Sequence, residues 1–210
     1  MRFIYEERST LAHYGHCLAF GPHLHEMVEL VYMRQGRSLV QVDSKEYEFG
    51  ANDAMIVFPN QVHAYRTVDR EDYIICIFNP DDFPEYRSIF QQSIPASPVI
   101  SCGERAGWIQ RLMEKIEELE RCRPPYWEST QRGYYLALLG ELFGLTDFCD
   151  AGRTDGDTLR QILRYCNAHY TEEMSLEALA RAVHLSKYTV SRIFSQKLHM
   201  SFCDYLGALR

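Results

Sequence analysis

The chain has 210 residues, 46% of them hydrophobic and 24% charged, with 14 Tyr and 11 Phe. That suffices for one large or two small domains with apolar cores, and it excludes a disordered or collagen-like chain, whose apolar surface could not offset its conformational entropy. The net charge of −7 speaks against a uniformly basic nucleic-acid binder. No apolar run reaches the roughly 18 residues of a membrane span. The seven cysteines are scattered, without a C-x-x-C pair, and residues 1–8 lack the apolar stretch of a signal peptide. A cytoplasmic protein with reduced thiols is the expectation.

The first hundred residues carry strand patterns. Segments 39–42, 45–49, 54–58 and 73–78 are rich in β-branched and aromatic residues, with turn signals at Asp43-Ser44, 50–53 and Pro59-Asn60 between them. Such regular spacing predicts a sandwich or barrel. The pattern stops between Pro80 and Pro98. After Gly103 the period changes: Trp108, Ile109, Leu112, Met113, Ile116 and Leu119 mark an amphipathic helix. Pro124-Pro125 interrupts it, and Tyr134, Tyr135, Leu138, Leu139, Leu142 and Phe143 mark a second helical run. The stripe Trp108, Leu112, Ile116 and Leu119 permits a helix–helix seam and a homodimer; packing of the same helices on the strands is the alternative. The polar, Gly-containing segment 150–157 reads as a domain boundary.

Charge is distributed unevenly about that boundary. Residues 1–154 carry 15 Lys and Arg against 23 Asp and Glu, a net −8, whereas 155–210 carry 7 against 6, a net +1. Within 181–210, Arg181, Lys187, Arg192, Lys197 and Arg210 face a single acidic residue, Asp204. A local basic stretch is a better pointer to phosphate contacts than the total. From Thr158 the pattern is helical. Ser175 is placed to cap a helix over 176–183, Ser186 one over 187–196, and Ser201 one from Phe202 onward. Two short helices joined by His184-Leu185-Ser186 form a helix–turn–helix arrangement, whose second helix turns its N-terminal side chains to base edges. Leu179, Ala180, Val183, Leu185, Val190 and Phe194 would lock the pair. Ser186, Lys187, Tyr188, Ser191 and Arg192 supply the polar face. An αα-hairpin inside a helical bundle shows the same pattern.

Residues Ile162 to Tyr170, Ser175 to Ala180, His184-Leu185-Ser186, Ser191 to Phe194, Ser201-Phe202, Tyr205-Leu206 and Leu209-Arg210 resemble the AraC-type transcription regulators. The resemblance implies that Lys187 to Arg192 form the recognition helix of a first helix–turn–helix, binding double-stranded operator DNA. It also implies a Gly in the turn where this chain has Leu198-His199-Met200, and a second unit beyond Arg210. The chain is therefore expected to be a fragment lacking the second helix–turn–helix, with weakened DNA binding.

The N-terminal strands contain His23-x-His25-x3-Glu29-x6-Gly36 and Pro59-x3-His63, which resemble the two motifs of the cupin β-barrel, with Gln61 where metal-binding cupins have Gly. His23 and His25 fall on one face of a strand. With Glu29 and His63 they make a three-His, one-carboxylate set that suits Zn, Ni, Fe or Mn. The alternative is a polar pocket lining without metal, and no other cofactor is expected. The barrel interior is the natural effector site, with His23, His25, Glu29, Tyr32, His63 and Tyr65 as candidate contacts and Met55 and Phe78 as further lining or plain core. The resemblance makes a sugar the leading effector class. His13 and His16 read as surface or loop residues, and His169, His184 and His199 have no partner pattern.

The sequence thus predicts a two-domain α+β chain. A cupin-like effector-binding β-barrel covers 1–100, a helical linker or dimerisation region packed on it covers 101–150, and an all-α helix–turn–helix unit covers 155–210. The expected function is an effector-responsive, sequence-specific transcription regulator, not an enzyme, acting as a homodimer away from membranes. A metal-dependent cupin enzyme with a helical appendage is the alternative; an acidic dimerisation module binding neither ligand nor metal is a third reading.

Overall fold

A strand whose successive side chains are all buried must be covered on both sides, and two strands buried over most of their length organise the N-terminal half. The computed structural model describes residues 4–5, 10–42, 45–150, 155–198 and 200–209. The turn expected at Asp43-Ser44, part of the boundary segment (151–154), His199, Arg210 and the side chain of Lys197 lie outside the described residues. The strands are β1 (Ile4–Tyr5), β2 (Leu11–Gly15), β3 (Phe20–Leu24), β4 (Val28–Gln35), β5 (Arg37–Val42), β6 (Lys45–Gly50), β7 (Asp53–Val57), β8 (His63–Thr67) and β9 (Asp72–Phe78). Next come a short helix α1 (Arg87–Gln92), β10 (Ser93–Pro95) and β11 (Val99–Ser101). Two five-stranded sheets form, ordered β1-β3-β8-β5-β6 and β11-β7-β4-β9-β2. All pairings within them are antiparallel except β1 with β3. The expected barrel is thus a stack of two separate sheets: among the described residues no ladder joins one sheet to the other.

β4 and β9 are central in the second sheet and pair in register, Leu30 opposite Cys76 and Tyr32 opposite Ile74. Because successive side chains point to opposite faces, Val31, Met33, Ile75 and Ile77 face the first sheet, where Val40, Val42, Phe49 and Tyr65 meet them. Leu30, Tyr32, Ile74, Cys76 and Phe78 face away, into a second apolar layer. That layer is roofed by α2 (Ala106–Cys122) and α3 (Trp127–Phe143), which a turn with Arg123 and Tyr126 at positive φ joins. Burying each such Leu, Ile or Phe contributes about 1.5–3 kcal/mol, so both layers are substantial cores. Gln131 locks the hairpin by donating from Nε2 to the Ile116 carbonyl (3.2 Å). Leu112 and Ile116 are fully buried under this roof, which corrects the expected dimer stripe: two of its four residues are used within the chain. Only Trp108 of the four is largely exposed, at 41%. Sequence periodicity missed α1 and the pair β10–β12 (Phe148–Asp150), elements too short to show a period.

The C-terminal segment is helical: α4 (Asp155–His169), α5 (Leu176–Ala182), α6 (Lys187–Lys197) and α7 (Phe202–Leu209). The three serines cap as their positions predict. Ser175, Ser186 and Ser201 accept from the amides of Ala178, Thr189 and Asp204, each at 3.1 Å. Such caps are worth about 1 kcal/mol each. Leu159, Ile162, Leu163, Leu179, Ala180, Val183, Val190, Ile193 and Phe194 form one core, and Leu24 and Val62 of the sheet region join it. Among the described residues no helix is long and apolar enough to cross a membrane.

Two predictions follow from burial and backbone geometry. Cys76, Cys102 and Cys166 are buried, and burial pushes their thiols up to about 12, 11 and 12. Cys17, Cys122, Cys149 and Cys203 are exposed. A thiolate is the reactive form, so an aromatic disulfide reagent should label four thiols quickly in the native protein and the other three only on unfolding. Gly36 has φ +91°, and a Cβ there would collide with the Arg70 carbonyl. Gly36→Ala should cost about 1–3 kcal/mol or more, read as a lowered urea midpoint.

Candidate functional site

His23 is the penultimate residue of β3, His25 directly follows the strand, and His63 opens β8. β3 and β8 pair so that His23 and His63 sit directly opposite, with a register shift between Phe20 and His23. That irregularity falls at Gly21-Pro22, residues that suit a bulge. Glu29 enters from β4 on the face shared with Val31 and Met33. All four side chains are about 1% exposed, and their potential ligand atoms lie within 4.8 Å of one another.

Each imidazole is oriented by a backbone carbonyl two residues away. His23 Nδ1 bonds with Gly21 O at 2.9 Å, His25 Nδ1 with Met27 O at 3.1 Å, and His63 Nδ1 with Gln61 O at 2.9 Å. A carbonyl can only accept, so each Nδ1 carries the hydrogen. The Nε2 atoms then point inward: that of His25 is 3.2 Å and that of His63 3.8 Å from Glu29 Oε2. His63 Nε2 has no hydrogen-bond partner. The other carboxylate oxygen, Oε1, accepts from the Tyr65 hydroxyl at 2.5 Å. Burial, followed by the neighbouring His63, pushes His23 down to about 3, leaving it neutral. Burial alone would raise the Glu29 carboxyl, but the imidazoles of His25 and His63 outweigh it and hold it well below the usual carboxylate range. The site is therefore a buried negative charge ringed by nitrogen donors.

Of the predicted contacts, His23, His25, Glu29, His63 and Tyr65 come together. Tyr32 does not. It occupies the opposite face of β4 from Glu29, packs under α2 and α3, and donates from its hydroxyl to Asn52 Oδ1 at 3.2 Å. Phe78 likewise belongs to that outer layer, while Met55 faces the inter-sheet core as plain filling. Parity along each strand decides these placements. His13 and His16 are exposed, as expected.

Sequence reasoning missed Asn60. It is 6% exposed, at φ 66°, and both its side-chain amide atoms lack hydrogen-bond partners. It lines a groove of about 350 Å³ with Met27, Asn79, Asp81, Arg87 and Phe90. Its backbone N–H donates to the His25 carbonyl at 2.8 Å, so groove and buried centre share a wall. The Pro59-Asn60 pair signalled a turn, but nothing in it announced a buried amide.

In the helical segment, Val190, Ile193 and Phe194 of α6 are buried, whereas Ser186, Lys187, Tyr188, Ser191 and Arg192 are all exposed, Tyr188 at 78%. Lys187 Nζ lies 3.4 Å from Glu177 on α5, a surface pair worth at most about 1 kcal/mol. The five predicted side chains thus share the solvent face of α6 and its cap.

Residues 11–153 match the family model of the AraC-like ligand binding domain. The uncharacterized HTH-type transcriptional regulator YdiP of Escherichia coli (strain K12) is 24% identical over 198 residues, covering 89% of this chain and 64% of that relative; the chain thus spans less than two thirds of the relative's length. ToxT from Vibrio cholerae O395 superposes with a TM-score of 0.58 at 8% identity, over 96% of this chain and 78% of that one. Unsaturated fatty acid-bound wild-type ToxT from Vibrio cholerae strain SCE256 gives 0.55 at 11% identity, over 100% and 80%. These structural likenesses are of fold alone. By the match over 143 of its 210 residues, the chain belongs to the family of AraC-like ligand-binding domains.

Proposed function

We propose that the chain is part of a ligand-responsive transcription regulator, with its effector region in the sheet domain and a DNA-reading helix–turn–helix in α5 and α6. One observation carries this reading. Segments 23–25 and 61–63 present His23, His25 and His63 to a buried polar centre, while Leu24 and Val62 between and beside them join the core of the helical unit. A ligand that shifts the centre therefore shifts the seat of the helices.

On α6, Lys187, Tyr188, Ser191 and Arg192, with Ser186 at its cap, form the surface that would enter the major groove of duplex DNA. Arg192 has the planar donor fork that reads guanine edges. The effector would be a small hydroxylated molecule such as a sugar. The Asn60 amide, with an unused donor and acceptor, together with Asn79 and Arg87, supplies the hydrogen bonding that hydroxyls require. The effector acts by differential affinity for two arrangements of sheets and helices, and that difference sets the population competent for DNA. Acting on DNA places the protein in the cytoplasm. In a homodimer, exposed Trp108 would be the α2 contact. The enzyme reading is disfavoured by burial: a catalytic centre keeps a position open to substrate, and the four residues here are closed off.

Selection from a random duplex library at low salt tests the reading. The chain should enrich a defined sequence, and Arg192→Ala should weaken binding to that sequence by about 1–3 kcal/mol, or roughly 5- to 150-fold. Enrichment of no sequence, with binding that depends on salt alone, would overturn it.

A further inference from the structure

β7 and β9 end, and antiparallel β4 begins, at one edge of the second sheet, where Val28 stands opposite Phe78 and Glu29 opposite Val57. The turns leaving this edge enclose, with α1, the groove of about 350 Å³, whose apolar part is Met27 and Phe90. None of the four residues of the buried centre lines it. Two groups in the groove are unspent. The Asn60 carboxamide is buried with neither donor nor acceptor used, and a buried polar group without a partner calls for one. The Arg87 guanidinium forms no ion pair among the described residues. The acid two positions before it, Glu85, is taken through both oxygens by Arg132 Nη2, at 2.7 and 3.0 Å. Asp81 lines the same groove and does not pair with Arg87 either. A planar cation, a carboxylate held apart from it and a buried amide thus surround one small space. Each has a definite complement. A guanidinium grips a carboxylate through two parallel N–H bonds. The Asp81 carboxylate and the Asn60 carbonyl oxygen accept from hydroxyls, and the Asn60 amide nitrogen donates to a hydroxyl oxygen. A neutral sugar would leave Arg87 unmatched, and an amino sugar would set a second cation against it.

We infer that the groove between α1 and the turn 59–61, outside the space between the two sheets, binds a small hydroxy acid of the sugar-acid class, with its carboxylate on Arg87 and its hydroxyls on Asn60 and Asp81. A volume of about 350 Å³ lies at the small end of ligand pockets, roughly 300–1,000 Å³, and suits a single sugar unit, not a long acyl chain. The inference rests on the hydroxylated-effector reading above and adds to it the charge the effector carries and the residue that reads that charge. Asn60 is also where occupancy reaches the rest of the molecule: two residues on, Val62 belongs to the core of the helical unit.

Titration calorimetry of the intact chain with D-glucuronate, D-galacturonate and D-gluconate, beside D-glucose, D-galactose and D-glucosamine, tests it. At least one acid should bind roughly 10-fold or more tighter than its neutral parent. Arg87→Gln should weaken that acid by roughly 10- to 150-fold and bring it to the level of the neutral sugar. Asn60→Gly, which keeps the positive φ available, should weaken acid and neutral sugar alike, by roughly 2- to 10-fold. Arg66→Gln, on the exposed pair with Glu46, should change nothing. The four-fast, three-slow thiol labelling pattern verifies that each variant is folded. Amide hydrogen exchange locates the site: on binding it should slow in 59–62 and 79–92 and stay unchanged in β5 and β6. Failure of all three acids to bind, preference for D-glucosamine, or protection confined to β5 and β8 overturns the inference. Equal affinity for acid and neutral parent, unmoved by Arg87→Gln, overturns the acid class and leaves the hydroxylated effector standing. Selection from the duplex library reports the DNA-reading half separately, so the failures are distinguishable.

Discussion

The geometry of the N-terminal half turns on three short hydrogen-bonded loops in which an imidazole Nδ1 reaches the carbonyl two residues away. Each bond contributes only about 0.5–1.5 kcal/mol net, yet together they decide which nitrogen of each ring faces inward. Without them Glu29 would be a buried carboxylate with no ordered surroundings, and burying an unpaired charge costs several kcal/mol. With them, the charge of Glu29 is met by rings whose directions are set by the backbone (His23, His25 and His63) and by the Tyr65 hydroxyl. The bulge at Gly21-Pro22 belongs to the same device, because it supplies the carbonyl that aims His23.

A second buried carboxylate shows a different solution. Glu71 is fully buried and accepts from the Leu18 amide at 2.6 Å, the Thr67 hydroxyl at 2.9 Å and the Ser38 hydroxyl. Its oxygens are saturated by hydrogen donors, so it ties a loop to β5 and β8 and has no capacity left for a ligand. Glu29 has one oxygen satisfied by a donor hydrogen and the other turned toward nitrogens.

Much of this was legible in the sequence, and the boundary of legibility has physical causes. The four residues of the centre were readable because their two segments resemble the cupin motifs and strand periodicity puts His23 and His25 on a common face. The helix starts were readable because Ser175, Ser186 and Ser201 act locally, within three residues. Tyr32 was misplaced because β4 is buried on both faces from Val28 to Met33: no alternation of buried and exposed residues marks an outer face there, and Glu29, the polar residue in that stretch, is itself buried. The dimer stripe failed for a related reason, since periodicity reveals that a helix has an apolar face and not which surface covers it; here sheet and α3 cover Leu112 and Ile116. Asn60 and the seating through Leu24 and Val62 depend on contacts between distant segments, which no local pattern encodes.

The presence of Leu24 and Val62 in the helical core bears on modularity. Helical readers and sensing domains are often treated as interchangeable parts joined by a string. In this chain, two of the residues that complete the helical unit's apolar interior are supplied by the sheet region, Leu24 at the end of β3 and Val62 just before β8. Grafting residues 155–210 onto another sheet domain would leave part of that interior facing water, and a chimera would hold a looser helical unit unless its new host offered two apolar side chains at the same places.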